Sequence, residues 1–203
     1  MPTFTPEEIQ MVKGSFDFIG MNHYTTNYYK DDPTNPGGGW FTDQKNIATP
    51  YGPDGKPIGP QAQSGWLFVY PQGVRGVLNW ISNRYGFPKI VIFENGVSVP
   101  GENEMKISDA VHDQFRVDFY KGYIQNVIDA VTLDGVKLGG YFGWSLLDNF
   151  EWADGYSTRF GMTYVDYKND QKRYMKDSIV WYSQFTRQGS SPNVQFNFVN
   201  PYE

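Results

Sequence analysis

KIVIFENG, residues 89–96, sets a short apolar run, Lys89 to Phe93, directly before a carboxylate, Glu94, and an Asn95-Gly96 pair. The run does not alternate with polar residues, which is the pattern of a parallel strand covered on both faces. Asn-Gly is expected to turn the chain sharply behind the carboxylate. Two other runs read the same way: FDFIGM, residues 16–21, and GYFGW, residues 140–144, the latter continuing to Leu146 and Leu147. Helical patterns separate the three. Gly73 to Tyr85 carries Val74, Val77, Leu78 and Ile81. Lys106 to Val131 reads as one helix, with a stripe at spacing four through Ile107, Val111, Phe115, Phe119, Tyr123, Val127 and Val131. Ser108 is its expected cap and Asp134-Gly135 its end. A last helix is expected near Tyr174 to Arg187. At the other end, Thr5 is an N-cap candidate, with Pro6 at the first helical position and Glu8 three residues after the cap. Helix and strand alternate throughout, so the fold class is α/β with a parallel sheet.

The segment from Lys30 to Gly65 is rich in Gly, Pro, Asn and Asp and reads as one extended loop, a length usually reserved for lids and binding loops. No repeat, low-complexity tract or linker divides the chain, and 203 residues suffice for one core. The tail after Gly189 is polar and expected to be irregular.

Charge argues against several functions. The chain has 17 basic and 22 acidic residues, formally −5, and no face or run gathers the basic ones. Neither nucleic acid nor a membrane surface is expected as a partner. No apolar run approaches the roughly 20 residues of a membrane span, and no signal peptide is visible at Met1. Cysteine is absent, which excludes disulfides and thiolate metal sites, and His23 and His112 are the only histidines. No metal or cofactor is expected. G-x-G-x-x-G and P-loop patterns are absent, which disfavours an open-sheet nucleotide binder. The 15 Tyr, 15 Phe and 6 Trp fit a large aromatic core; they also fit a sugar site, where ring faces stack on pyranose rings.

The residues just past each strand are more informative. Asn22, His23 and Tyr24 lie past the first; Glu94 and Asn95 past the second; Asp148, Asn149, Glu151 and Trp152 past the third. Polar and aromatic groups thus collect at the carboxyl ends of parallel strands, the catalytic face of a (β/α) barrel and the ligand crevice of an open sheet. WSLLDNFEW, residues 144–152, reads either as an aromatic loop packed on the rim or as a sugar clamp, with Trp144 and Trp152 as ring faces and Glu151 accepting from two hydroxyls.

IFENG (92–96), FIGMNHYT (18–25), GYFGWSLLDNFEWADGYSTRFGMTYVD (140–166) and GPQAQSGWLFVYPQG (59–73) together resemble motifs of glycoside hydrolase family 1, with the likeness running from about Pro2 to Gln188. The resemblance implies the C-terminal portion, about strands six to eight, of a (β/α)8 TIM barrel, and a partial catalytic domain over residues 1–203. It implies a retaining β-glycosidase of β-glucosidase type acting on a β-glucoside or related small carbohydrate. By the same resemblance Glu94 is the nucleophile and Tyr24 its hydrogen-bonding partner. Asn22 lines the inner pocket, Trp144 is the floor beneath the glycone, and Glu151 binds the 4- and 6-hydroxyls. Trp152 lies near the 3-hydroxyl, Phe160 near the 6-carbon, and Trp66 is a platform for the aglycone. Glu151-Trp152 favours an unphosphorylated sugar. Phe93 stands where the family usually has Thr, and His23 where Tyr or Gln is common; strand alternation points both away from their catalytic neighbours.

One half of the chemistry is not in these residues. Retaining glycosidases use two carboxyl groups about 5–5.5 Å apart, and the family's acid/base motif, T-x-N-E-P, does not occur here. A full barrel takes about 250 residues. The expectation is a fragment whose acid/base half lies upstream of Met1, inactive alone and with open sheet edges available for self-association. The rival expectation is a partial barrel that binds sugar weakly or pairs with a complementary chain.

Overall fold

In a computed structural model, residues 3–40 and 42–188 are described. The elements are α1 (Pro6–Val12), β1 (Ile19–Asn22), β2 (Tyr28–Asp31), β3 (Asn46–Thr49), α2 (Gln72–Tyr85), β4 (Ile90–Glu94), α3 (Ile107–Ala110), α4 (Gln114–Thr132), β5 (Leu138–Tyr141), β6 (Thr163–Asp166), β7 (Lys172–Met175) and α5 (Asp177–Gln188). β1, β4 and β5 form a parallel sheet with β4 in the middle. The two crossovers carry α2 and α4, which pack on each other. The expectation for the tail after Gly189 falls outside the described residues.

α1 opens on a capping box. The Thr5 side chain accepts from the Glu8 amide and the Glu8 carboxylate accepts from the Thr5 amide. The core lies on one side of the sheet. Ile90 and Ile92 are fully buried, with Val74, Leu78 and Ile81 of α2 and Val117, Tyr120, Tyr123, Ile124 and Val127 of α4. Each such aliphatic side chain contributes about 1.5–3 kcal/mol through burial.

Among the described residues the opposite face of the sheet is open, although its apolar runs suit cover on both sides. Strand residues alternate between faces, so Phe93 emerges on the side away from Ile90 and Ile92, and it is 47% exposed. Phe18 and Phe142 flank it, with ring centroids 5.9 and 6.4 Å away and exposures of 43% and 56%. A β-carbon at Gly20 would lie 2.3 Å from the Phe93 ring, so glycine is what lets that ring lie across β1. An unbroken apolar run reports that both faces suit burial; it does not report that this chain covers both.

Other boundaries differ from the sequence reading. Lys106–Val131 is two helices, broken at Val111–Asp113. A stripe at spacing four advances about 40° per step on a helix of 3.6 residues per turn, so it drifts off the face: Phe119, Tyr123 and Val127 are buried, whereas Val131 is exposed. Ser108 lies inside α3, whose N-cap position is Lys106. Asp113 precedes α4, but its carboxylate serves Arg116 and Ser178 instead of capping. β5 ends at Tyr141, so Trp144, Leu146 and Leu147 are outside it. Tyr174 belongs to the β6–β7 hairpin, and the last helix starts at Asp177. The segment from 30 to 65 contains part of a β2–β3 hairpin instead of one continuous loop. Gly96 is not among the glycines with positive φ, so no left-handed turn explains it.

Arg75 of α2 grips Asp134 beyond α4 through two nitrogens at 2.7 and 2.8 Å, and Asn79 donates to the same carboxylate. The Arg75 and Asn79 hydrogen bonds lower the Asp134 pKa from 3.8 to about 2. A depressed carboxylate pKa adds stability above the unfolded value and loses it as pH falls through the folded one. Asp134→Asn should therefore lower the melting temperature at pH 7, and the difference from the parent should shrink between pH 4 and 2 and vanish below it.

Candidate active site

Asn22 is the last residue of β1, with Tyr24 two residues on; Glu94 is the last residue of β4. Trp144 lies three residues past β5. Glu151, Trp152 and Phe160 come from the segment that runs on to β6, and Trp66 from the segment before α2. These eight residues, with Ala153 and Asp154, line one cavity of about 530 Å³. Ala153 and Asp154 had no signal of their own in the sequence beyond adjacency to Trp152.

A short polar contact links the segment past β1 to the end of β4. The Tyr24 hydroxyl donates to Glu94 Oε2 at 2.7 Å. Burial, then the Glu94 hydrogen bond and charge, raise the Tyr24 pKa far above its ordinary value, so the phenol stays protonated and remains a donor. Its ring is held edge-on by Trp66 and Phe160, at 5.8 and 6.0 Å, and its carbonyl accepts from the Tyr123 hydroxyl at 3.2 Å. Phe160 is buried, whereas Trp152 is 84% exposed and offers its ring to solvent. Trp152 has φ 43°, a left-handed conformation that costs a bulky residue roughly 1–3 kcal/mol and is concentrated at ligand sites.

Glu151 has a raised pKa. Burial is the main cause; a hydrogen bond from the Trp144 side chain opposes it, and the charges of Asp154 and Glu94 reinforce it. Three carboxylates and three tryptophans therefore share the wall, with no Lys, Arg or His among the described lining residues. Such a wall offers acceptors to hydroxyls, ring faces to apolar carbon, and nothing attractive to an anion.

Four residues grouped with this site by sequence, His23, Asn95, Asp148 and Asn149, are not among the cavity's lining residues. Asp148 is buried behind the wall. It accepts from Arg159 Nη1 at 2.6 Å, the Gly161 amide at 3.0 Å, Lys176 Nζ at 3.1 Å and the Val165 amide at 3.2 Å. It closes the neck of the segment from 148 to 161 that carries Glu151 and Trp152. Asn149 turns its amide to Ser145 and Leu147. His23 is half-buried beside Tyr123 and outside the cavity. Asp148 also joins a cluster that sequence reasoning missed. Lys176 links it to Glu102, Glu102 pairs with Arg116, and Arg116 pairs with Asp113. Its members are 6% exposed or less, and apart from Asp113 and Arg116 they are far apart in sequence, so no local pattern marks it. Removing one partner of such a buried pair costs about 3–5 kcal/mol.

Burial lowers the His23 pKa from 6.5 to about 4. The unfolded chain takes this proton near pH 6.5 and the folded one resists until about pH 4. The His23 contribution to stability is thus intact above pH 6.5 and falls across that window, by up to about 3 kcal/mol. In urea titrations at pH 7 and 4.5, His23→Gln should reduce the difference between the two stabilities.

A sequence profile described as Glycosyl hydrolase family 1 matches residues 1–190. Beta-glucosidase 1B of Phanerodontia chrysosporium is 50% identical over 186 residues, 91% of this chain and 33% of that protein. A GH1 beta-glucosidase from the fungus Humicola insolens, solved with glucose, superposes with a TM-score of 0.86 at 50% identity, covering 92% of this chain and 39% of its own. A mutant of the rice Os3BGlu6 beta-glucosidase, solved in a covalent complex with Glc, gives a TM-score of 0.84 at 42% identity, covering 90% of this chain and 39% of its own. The chain spans about a third of the length of the curated relatives it matches.

Proposed function

Because this chain belongs to glycosyl hydrolase family 1, we propose that it supplies the nucleophile side of a retaining β-glycosidase of β-glucosidase type. In this reading residues 1–203 are part of one catalytic domain, and β1, β4 and β5 are strands six to eight of a (β/α)8 barrel. The Tyr24–Glu94 hydrogen bond at the cavity wall is the observation that carries it. A carboxyl group on a strand end, oriented by a phenol that stays protonated, is a preorganised nucleophile.

The first step forms a bond between a Glu94 oxygen and the anomeric carbon while the bond from that carbon to the aglycone oxygen breaks. The aglycone leaves with the electron pair and needs a proton from a second carboxyl group; water later releases the sugar. Trp144 lies beneath the glycone and Trp66 faces the aglycone. Glu151 accepts from the 4- and 6-hydroxyls, Trp152 sits near the 3-hydroxyl, Phe160 near the 6-carbon, and Asn22 lines the inner pocket. The covalent Glc complex of the rice relative supports a glycosyl-enzyme route. An aryl 2-deoxy-2-fluoro-β-glucoside with a dinitrophenolate leaving group tests it, in a barrel completed with the upstream part of the Humicola insolens enzyme. One fluoroglucosyl mass should appear on the peptide containing Glu94. Labelling elsewhere, or none, defeats the assignment.

The separate chain has a second reading as a piece that binds sugar weakly or pairs with a complementary chain. The open Phe18, Phe93 and Phe142 face favours it for these residues in isolation.

A further inference from the structure

We infer that Asn95 is a positioning residue that locks the Glu94 strand end to both neighbouring strands; its catalytic meaning rests on the proposed function of Glu94. The parallel ladder is irregular here. Between Met21 and Asn22 the register slips, so that Asn22 pairs with Glu94 instead of Phe93. The His23 amide still donates to the Glu94 carbonyl at 2.9 Å. Beyond that point the Asn95 side chain takes over. Its Nδ2 donates to the His23 carbonyl at 2.7 Å, and its Oδ1 accepts from the Tyr141 hydroxyl of β5 at 2.5 Å. The amide orientation is set by its partners, since a carbonyl can only accept. Asn95 is fully buried, and burial keeps the Tyr141 hydroxyl protonated as a donor.

The backbone of the same residue holds the floor. The Trp144 amide donates to the Asn95 carbonyl at 2.8 Å, and the Tyr120 hydroxyl donates to the Trp144 carbonyl at 3.0 Å. A β-carbon on Gly96 would lie 1.7 Å from that Trp144 carbonyl oxygen. This close approach, and not a turn, is why glycine comes after Asn95. One neutral side chain thus bridges the ends of β1 and β5 across β4. Tyr24 lies one residue beyond its first contact, Glu94 one residue before it, and Trp144 on its backbone. Asp in its place lacks the donor for His23, and Leu lacks both bonds at similar volume.

Hydrogen–deuterium exchange of the full chain tests this, with α2 and α4 as internal references. Asn95→Ala should speed exchange at residues 22–25 and 142–146 by about tenfold or more and leave α2 and α4 unchanged. Tyr141→Phe, which removes one bond and little volume, should speed 142–146 and leave 22–25 as in the parent. A residue that merely fills space would not produce that one-sided split. In the completed barrel, Asn95→Ala should slow fluoroglucosyl labelling of Glu94 at least about tenfold. Unchanged local exchange in Asn95→Ala overturns the inference, as does Tyr141→Phe loosening both sides equally. Should Asn95→Ala fail to fold, Tyr141→Phe alone decides. A parent barrel that is never labelled defeats the function of Glu94 and leaves the exchange result to judge Asn95.

Discussion

Glu94→Ala is expected to cut turnover of an aryl β-glucoside by at least about 10⁴-fold in the completed barrel, because the covalent intermediate has no oxygen on which to form. Azide should restore part of the activity, entering the space left by the carboxylate and giving an α-glucosyl azide, the inverted product. Tyr24→Phe removes one hydrogen bond to the Glu94 carboxyl group, worth about 1.5–3 kcal/mol, so it should cost roughly 10- to 150-fold. The order of the two effects is diagnostic. If Glu94→Ala keeps the parental rate, or if Tyr24→Phe is the more damaging, Glu94 is not the nucleophile.

The second large effect concerns the 203 residues by themselves. They are expected to leave cellobiose intact and to associate with one another as concentration rises. Cellobiose needs its leaving sugar protonated, and no N-E-P segment is present to do it. Glu151 is a poor substitute, since its proposed place is beside the sugar hydroxyls. Association stems from the sheet: among the described residues β1 and β5 have unpaired edges, and Phe18, Phe93 and Phe142 form an exposed aromatic ridge between them. Sedimentation should show oligomers in the micromolar range, reduced by Phe93→Asn. Steady cellobiose hydrolysis that is lost on Glu94→Gln would overturn the first half of this expectation. A monomer at all concentrations would overturn the second.

The three strands and their alternation with helices were legible because β-branched and aromatic runs, and apolar residues at helical spacing, are local signals. KIVIF lies within one residue of β4, and Gly73–Tyr85 within one residue of α2. The break at Val111–Asp113 was not legible. It depends on Asp113 reaching Ser178, 65 residues away, and no nearby residue announces that bond. The same holds for Asp148, whose position in a motif rich in site residues suggested the cavity while its partners at Arg159 and Lys176 keep it behind the wall. The eight residues named from the motifs line one cavity, because those motifs keep strand-end residues contiguous. Asn95 was readable only as half of an Asn-Gly pair, because its bridging role comes from two strands meeting around it.

Ionic strength should divide the molecule's ion pairs into two populations. Arg75 and Asp134 are 34% and 22% exposed, so mobile ions reach them, and roughly 1 M salt, with a Debye length near 3 Å, screens much of their attraction. Arg116, Glu102, Lys176 and Asp148 have side chains no more than 2% exposed, and dissolved ions have no access to the space between them. Added sodium chloride therefore loosens the tie between α2 and the end of α4 while leaving the support behind Glu151 and Trp152 intact. A salt-tolerant cavity on a salt-sensitive helix pair is the consequence.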